Sequence, residues 1–426
     1  MNNFKKNRIV VLGTFTVDLL TLSIQALLEP FLPVEVQTAP YHQVFQELLN
    51  PFSLTMSNRD GCANIIVFRV EDFLEKNLKI SSSDNAISKN IEDLTRTIKV
   101  ASQSCHIPWI ICLCPSNSHK SEDIFSTNYY AKLERYVLNS FDGYDNVYCI
   151  NTESVSCLYS FFDFHNPVSQ HIGDIPYKYE YFCMLGYRIA RMIYSIITKP
   201  YKVIVLDCDD TLWSGICGED RLEDIYIYPH QLKFQQLLLE QIQAGMLLCL
   251  CTKNNEEDVK KVFQSHPDMI LKLENFVSLK INWKEKSSNI YELSRQLNLD
   301  LDSFIFIDDN AMECVEVSSR FPQILTLQLP KNPEKMQSVL HHFWPFDHPR
   351  ITTEDYQRTV FYQQEVNRSK LKEESVSLRD FIEKLQLEIK FESAESRHNT
   401  RITQLIKRCN QFNFTQTSEK IFGNYS

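Results

Sequence analysis

Val203-Ile204-Val205-Leu206-Asp207-Cys208-Asp209-Asp210-Thr211-Leu212-Trp213 decides how this chain of 426 residues is read. Four consecutive apolar residues predict a strand buried on both faces, as strands of a parallel sheet are. Two carboxylates close it, two residues apart. With a strand period of two, Asp207 and Asp209 start out facing the same way at the carboxyl end. That end is where open α/β sheets bind ligands. Crowded carboxylates repel and raise one another's pKa unless a cation neutralises them. Their hard oxygen donors favour Mg²⁺.

Three further elements follow in an order that makes sense of the first. A strand predicted over 246–251 ends in Thr252-Lys253-Asn254, which presents a hydroxyl to a phosphate oxygen. Trp283-Lys284-Glu285-Lys286 brings an ammonium just ahead of a helix, where it can pair with phosphate. A strand over 304–307 ends in Asp308-Asp309, further carboxylates for a metal. One Asp-x-Asp after a strand is a weak signal, because acidic strand ends without chemistry are common. Four elements in this order describe a phosphoryl-transfer site.

Around these motifs, short apolar runs alternate with amphipathic stretches, which is the α/β pattern. Residues 9–12, 34–37, 65–68, 109–114 and 147–150 predict five strands of a first doubly wound parallel sheet, with helices near 17–28, 41–49, 87–104, 128–139 and 181–196. A boundary falls at Thr198-Lys199-Pro200. A second parallel sheet follows, with strands at 203–207, 246–251, 276–279, 304–307 and 324–329 and helices at 230–244, 256–263, 287–297 and 312–320. The domains read as 1–197, 200–345 and a helical extension over 346–426. That extension ends in a predicted strand, helix and strand at 387–391, 400–410 and 411–415, too little to bury both faces of a sheet by itself.

Composition excludes other classes. Lys plus Arg number 44 against 54 Asp plus Glu, a net charge of −10, the opposite of a nucleic-acid binder's balance. The 13 cysteines have no framework spacing and no Cys-x-x-Cys, so they suit a reducing cytosol. Lys5, Lys6 and Arg8 precede an apolar stretch, but Thr14, Thr16 and Asp18 break it, unlike a signal peptide. No apolar run is long enough to span a bilayer. A cytoplasmic protein with no nucleic-acid or membrane partner is expected. Cys112/Cys114 and Cys249/Cys251 read as strand packing, and His341-His342 with His348 as solvent-facing or interface residues. Lys384, Lys390, Arg397, Arg401, Lys407 and Arg408 read as a solvated basic face, or as a dock for an acidic partner.

The motif set resembles the haloacid dehalogenase (HAD) superfamily. By that likeness Asp207 attacks phosphorus, and Asp209 protonates the leaving oxygen and then activates water. It implies Mg²⁺ on the Asp207 carboxylate, the Asp209 main-chain carbonyl and Asp308 or Asp309. The spacings from Asp207 to Thr252 and from Thr252 to Lys286 are already filled by predicted elements, leaving no room for a cap domain. A capless site admits bulky substrates or is covered by a neighbouring domain.

A narrower likeness rests on Asp-Cys-Asp-Asp-Thr-Leu-Trp-Ser-Gly-Ile-Cys-Gly-Glu-Asp (207–220), Lys253-Asn254-Asn255-Glu256-Glu257, Asn282-Trp283 and Ile307-Asp308-Asp309-Asn310. Glu354-Asp355, Arg358, Tyr362 and Asn410-Gln411-Phe412-Asn413 extend it. Together they resemble the FkbH-like proteins, whose longer members carry an N-terminal SGNH-hydrolase-like domain and continue into an acetyltransferase-like domain. The resemblance implies that a phosphorylated three-carbon substrate, 1,3-bisphosphoglycerate, is dephosphorylated and delivered as a glyceryl thioester to an acyl carrier protein in polyketide-type biosynthesis. Cys208 and Cys217 are both candidates for the thioester; otherwise each is a small buried hydrophobe. Lys253, Asn254 and Trp213 are candidate substrate contacts, with Trp213 equally able to pack over the site. A plain HAD phosphatase and a non-catalytic scaffold remain as alternatives.

The chain departs from the pattern at Asp210, where asparagine is usual, and at Ala311, where proline is expected. Gly13-Thr14-Phe15 stands where an SGNH enzyme has its serine, so the first domain is expected to be non-catalytic and to cover the site or dock the carrier. The acetyltransferase-like part is expected to be truncated.

Overall fold

The structure is a computed structural model and describes residues 7–73, 80–116, 124–151, 164–375 and 377–385. The chain divides into two units, Met1–Gln363 and Gln364–Ser426, and both sheets belong to the first.

The first sheet is built from β1 (Asn7–Gly13), β2 (Val34–Thr38), β3 (Ala63–Phe68), β4 (Trp109–Leu113) and β5 (Val147–Asn151). They are all parallel, in the order β2-β1-β3-β4-β5. Helices α1 (Asp18–Leu28), α2 (Val44–Leu49), α3 (Ile80–Ser104), α4 (Ile124–Asn139), α5 (Pro167–Gly173) and α6 (Tyr179–Ile197) connect and follow the strands. Two cores form, one on each face of this sheet. Val10, Leu12, Ile66 and Phe68 pack into one, while Ile9, Val11, Ile65 and Val67 pack into the other. Strand alternation thus sends neighbouring residues to opposite helical layers, and apolar residues are needed at both parities.

The second sheet contains β6 (Val203–Leu206), β7 (Leu247–Thr252), β8 (Phe276–Ile281), β9 (Phe304–Asp308) and β10 (Leu325–Gln328), again all parallel, in the order β10-β9-β6-β7-β8. Its helices are α7 (Pro229–Gln243), α8 (Glu256–Ser265), α9 (Lys286–Leu297), α10 (Ala311–Arg320) and α11 (Pro333–His341). β6 lies between β7 and β9, so the strand order reverses around it. Two doubly wound α/β sheets, as the alternating pattern predicts, therefore make up the fold.

The interval from Asp207 to Thr252 holds a loop, α7 and β7, and that from Thr252 to Lys286 holds α8 and β8. Neither contains a cap domain.

Specific contacts join the layers of the two sheets. Arg191 on α6 forms a bidentate pair with Asp347, at 2.6 Å on each arm, and donates to the His341 carbonyl at 2.8 Å. Trp344 packs among Phe31, Tyr187 and Tyr194, and Arg350 donates to the Val147 carbonyl at 2.8 Å. Lys199 pairs with Asp302, just ahead of β9. Asp302 lies at the amino end of the second sheet, and Arg191 and Trp344 add a half-buried ion pair and an aromatic cluster on α11 and the segment after it.

In the second unit, residues 364–375 and 377–385 carry the end of helix α12 (Thr353–Glu373) and helix α13 (Leu378–Lys384). The strand–helix–strand expected over 387–415, the acetyltransferase-like segment and the basic residues from Lys390 to Arg408 lie outside the described residues. Among the described residues no helix is long and apolar enough to cross a membrane.

Candidate active site

Parallel pairing sets Leu206 beside Ile307, so β6 and β9 deliver Asp207 and Asp308 to the same edge. Lys286, the first residue of α9, reaches between them: its Nζ lies 2.9 Å from Asp207 Oδ1 and 2.5 Å from Asp308 Oδ2. All three side chains are buried. The start of α9 is pinned by its neighbour α10. Glu316 accepts from the Ser287 amide and hydroxyl, and Arg320 donates to Glu285 at 2.7 Å and to Ser287 and Ser288 at 3.0 Å.

Asp309 completes an acidic group. Carboxylate oxygens of Asp207, Asp308 and Asp309 lie within 4.8 Å of one another. Burial first, then the charge of Asp207, pushes Asp308 up despite its contact with Lys286. Asp309 is pushed up by burial and then by Asp207 and Asp210, with Lys331 and Lys286 opposing. Burial pulls the Lys286 ammonium down, but Asp207 and Asp308 outweigh it and hold it well above the usual lysine range. One ammonium thus leaves this group under-neutralised. Three hard oxygen donors around that deficit fit Mg²⁺, which they could hold without rearranging the fold.

Asp209 has a different environment. Trp213 Nε1 donates to its Oδ1 at 2.9 Å, the Cys217 amide to the same oxygen at 3.1 Å, and Asn254 Nδ2 to Oδ2 at 2.8 Å. Burial outweighs these donors and raises its pKa. Its carboxylate faces the loop after β6, not the three-carboxylate group. Thr252, at the end of β7, is buried and accepts from Asn254 Nδ2 at 3.2 Å.

The loop over 208–228 is an ordered flap. Ser214 pairs with Tyr226, the Ile216 amide donates to Asp220, and Gln235 on α7 donates to the Leu212 carbonyl at 2.9 Å. Gly215 has φ +109° and a side chain there would press on Asp220, so glycine is required. Cys208 continues the face of Ile204 and Leu206 into the core, where burial first, then Asp207 and Asp209, pushes its thiol well up. Cys217 is also buried, and burial first, then the charge of Asp209, raises its thiol.

The three candidate substrate contacts are each engaged by protein groups, and Trp213 takes the packing role that the sequence left open beside substrate contact. Trp213 is wholly buried, packed edge-on against Phe263 at 5.5 Å, and touches the site through its bond to Asp209. Lys253 is tied to Glu313 at 2.7 Å. Asn254 is buried beneath Asp209. Tertiary packing, which motif spacing does not encode, set these directions. Sequence reading missed Lys331, which follows β10 and lies 3.7 Å from Asp309 and 3.9 Å from Asp210. Nothing in its sequence context marks it.

No protein-family model and no curated protein matches the chain. Among solved structures it is similar to the N-terminal part of the protein BF1531 from Bacteroides fragilis, which contains a phosphatase domain and was crystallised with Mg. The identity is 24% and the TM-score 0.68, over 81% of this chain and 95% of that one. The two chains share a fold. A HAD-family enzyme from Bacteroides thetaiotaomicron, in a magnesium complex, aligns over 32% of this chain and 96% of that one, at 13% identity and a TM-score of 0.24. The first likeness spans enough of the chain to include both sheets.

Proposed function

We propose that the second sheet carries a Mg²⁺-dependent phosphatase centre of HAD type, with Asp207 as nucleophile. The observation that carries this reading is the Lys286 ammonium held between Asp207 and Asp308, with Asp309 beside them, at the carboxyl ends of adjacent strands. Asp207 attacks phosphorus, forming an aspartyl-phosphate as the ester P–O bond breaks. Asp209, held above the ordinary carboxylate range by burial, gives its proton to the leaving oxygen and then takes one from the attacking water. Trp213, Asn254 and the Cys217 amide fix its orientation. Mg²⁺ bound by Asp207, Asp308 and Asp309 would neutralise their charge and draw charge from the phosphoryl oxygens. Mg²⁺ in the Bacteroides fragilis structure supports the cofactor. Phosphate release in Mg²⁺ from a panel of phosphoesters tests the reading, with Asp207→Asn expected to abolish it. Release unchanged in that variant would overturn it.

A second, finer reading follows from the FkbH-like motifs and has one observation in its favour: Cys217 sits beside Asp209, to whose Oδ1 its amide donates at 3.1 Å. Asp209 takes the thiol proton, the sulfur attacks the acyl-phosphate carbon of 1,3-bisphosphoglycerate, and inorganic phosphate leaves. The remaining phosphoester is then hydrolysed at Asp207, and the glyceryl group passes to an acyl carrier protein. Intact-protein mass spectrometry with that substrate tests it. A glyceryl or phosphoglyceryl adduct lost in Cys217→Ser supports the thioester, whereas phosphate release without an adduct leaves the plain phosphatase. A scaffold role would be marked by neither product.

A further inference from the structure

Asp355, Arg358 and Tyr362 on α12 take no part in the phosphatase centre. They recur at intervals of three and four residues and so share one helix face. That face lines a cavity of about 430 Å³ at the amino edge of the second sheet, together with Lys202, His348 and Arg350. The volume falls within the roughly 300–1,000 Å³ of small-molecule sites. Lys202 immediately precedes β6, which ends at the catalytic Asp207, and Leu247, also in the cavity wall, opens β7, which ends at Thr252. Five strand positions separate each pair, so the cavity lies about 16 Å from the catalytic carboxylates, at the opposite ends of the same strands.

Its charge is one-sided. Lys202, Arg350 and Arg358 line it against the single carboxylate of Asp355, in a chain whose net charge is −10. The two arginines are held in place mostly by neutral groups. Arg358 donates to the Gly245 carbonyl at 3.0 Å and pairs with Asp355. Arg350 donates to the Tyr144 and Val147 carbonyls, and its one carboxylate partner, Asp145 at 3.1 Å, is fully exposed. Carbonyls orient a guanidinium without cancelling its charge. Lys202 Nζ has no hydrogen-bond or ion-pair partner among the described residues. Part of the motif has a structural use: a Cβ at Gly245 would lie 2.8 Å from Asp355, so Asp355 and Arg358 brace the turn before β7. Bracing does not account for Lys202 or Arg350. Two oriented guanidinium groups and an unspent ammonium around one enclosed space match the charge and the donor needs of a phosphate group.

We propose that this cavity is a second anion site, which binds a small phosphate-bearing ligand between Lys202, Arg350 and Arg358. It is separate from the catalytic centre and does not depend on the reaction assigned there.

The test is calorimetry with inorganic phosphate as the probe, on the full chain in EDTA and about 0.15 M NaCl, where non-specific charge attraction is screened. Without metal the catalytic carboxylates repel anions, so binding reports on the cavity. Wild type is expected to bind phosphate. Lys202→Met is expected to weaken it about tenfold, the lower end for a hydrogen bond to a charged group, and Lys202→Arg to retain it. Both variants are expected to melt like wild type, because no protein group pairs with this ammonium, and to release phosphate from phosphoesters in Mg²⁺ at the wild-type rate. No binding by wild type, or binding that Lys202→Met leaves unchanged, would overturn the proposal.

Discussion

The Lys286 ammonium lies 2.9 Å from Asp207 Oδ1 and is the link between that carboxylate and Asp308 on the adjacent strand. Removing one partner of a buried ion pair leaves charge stranded and costs about 3–5 kcal/mol. Lys286→Met is therefore expected to destabilise the protein by about 3 kcal/mol in chemical denaturation. The double variant Lys286→Met/Asp308→Asn should recover a large part of that loss, because one stranded charge goes with the ammonium. No recovery would mean that packing at Lys286, not charge, dominates.

Metal should stabilise the fold measurably. With Mg²⁺ at about one hundred times its dissociation constant, linkage adds about 2.7 kcal/mol, visible as a rise in Tm that EDTA reverses. Asp309→Asn is expected to remove the rise. The same variant without metal should melt no lower than wild type, since it relieves a carboxylate crowded by Asp207 and Asp210.

Trp213→Phe keeps an aromatic ring against Phe263 but deletes the donor to Asp209. A hydrogen bond to a charged group contributes about 1.5–3 kcal/mol. The expected result is a fall of about tenfold or more in phosphate release, with stability lowered by about 1 kcal/mol. Unchanged turnover would show that Asn254 and the Cys217 amide suffice to orient Asp209.

The site is built wholly from the second sheet and its loops. Arg191→Met, which breaks the pair with Asp347, should therefore loosen the joint between the layers, at a cost of about 2 kcal/mol, and leave phosphate release near wild type. Loss of activity in protein that remains folded would instead reveal coupling between the first sheet and the site.

His348 Nε2 lies 2.7 Å from Gln241 Oε1, and burial holds its pKa below the ordinary value of 6.5. The folded protein thus binds fewer protons here than the unfolded chain as pH falls through that value, so acid destabilises it. Between pH values of about 7 and 5, the Tm of wild type should fall more steeply than that of His348→Gln.

Strand positions were legible because β6, β7 and β9 are buried on both faces and so read as unbroken apolar runs. The carboxylate motifs were legible because they sit directly on those strands' ends. Lys331 was not, since its meeting with Asp210 spans 121 positions of sequence and depends on β10 lying beyond β9. Trp213 was readable as either a substrate contact or a residue packed over the site, and the structure takes the second. Its burial under the flap depends on Phe263 of α8, whose approach no local pattern records. The joint between the layers was illegible for the same reason: Arg191 and Asp347 are ordinary surface residue types until α6 and the segment after α11 meet.

By itself, the sequence determined two parallel α/β sheets and the chemical inventory of one site: two aspartates after β6, a hydroxyl after β7, a lysine opening α9 and two aspartates after β9. Local hydrophobic period and residue type suffice for that. Tertiary structure decided which of these meet. Setting β6 between β7 and β9 brings Asp207 and Asp308 onto one lysine, turns Asp209 to the flap, and leaves the rim to Asp210 and Lys331. Those outcomes depend on strand order and helix packing, and are set by burial of both sheet faces across long sequence separations.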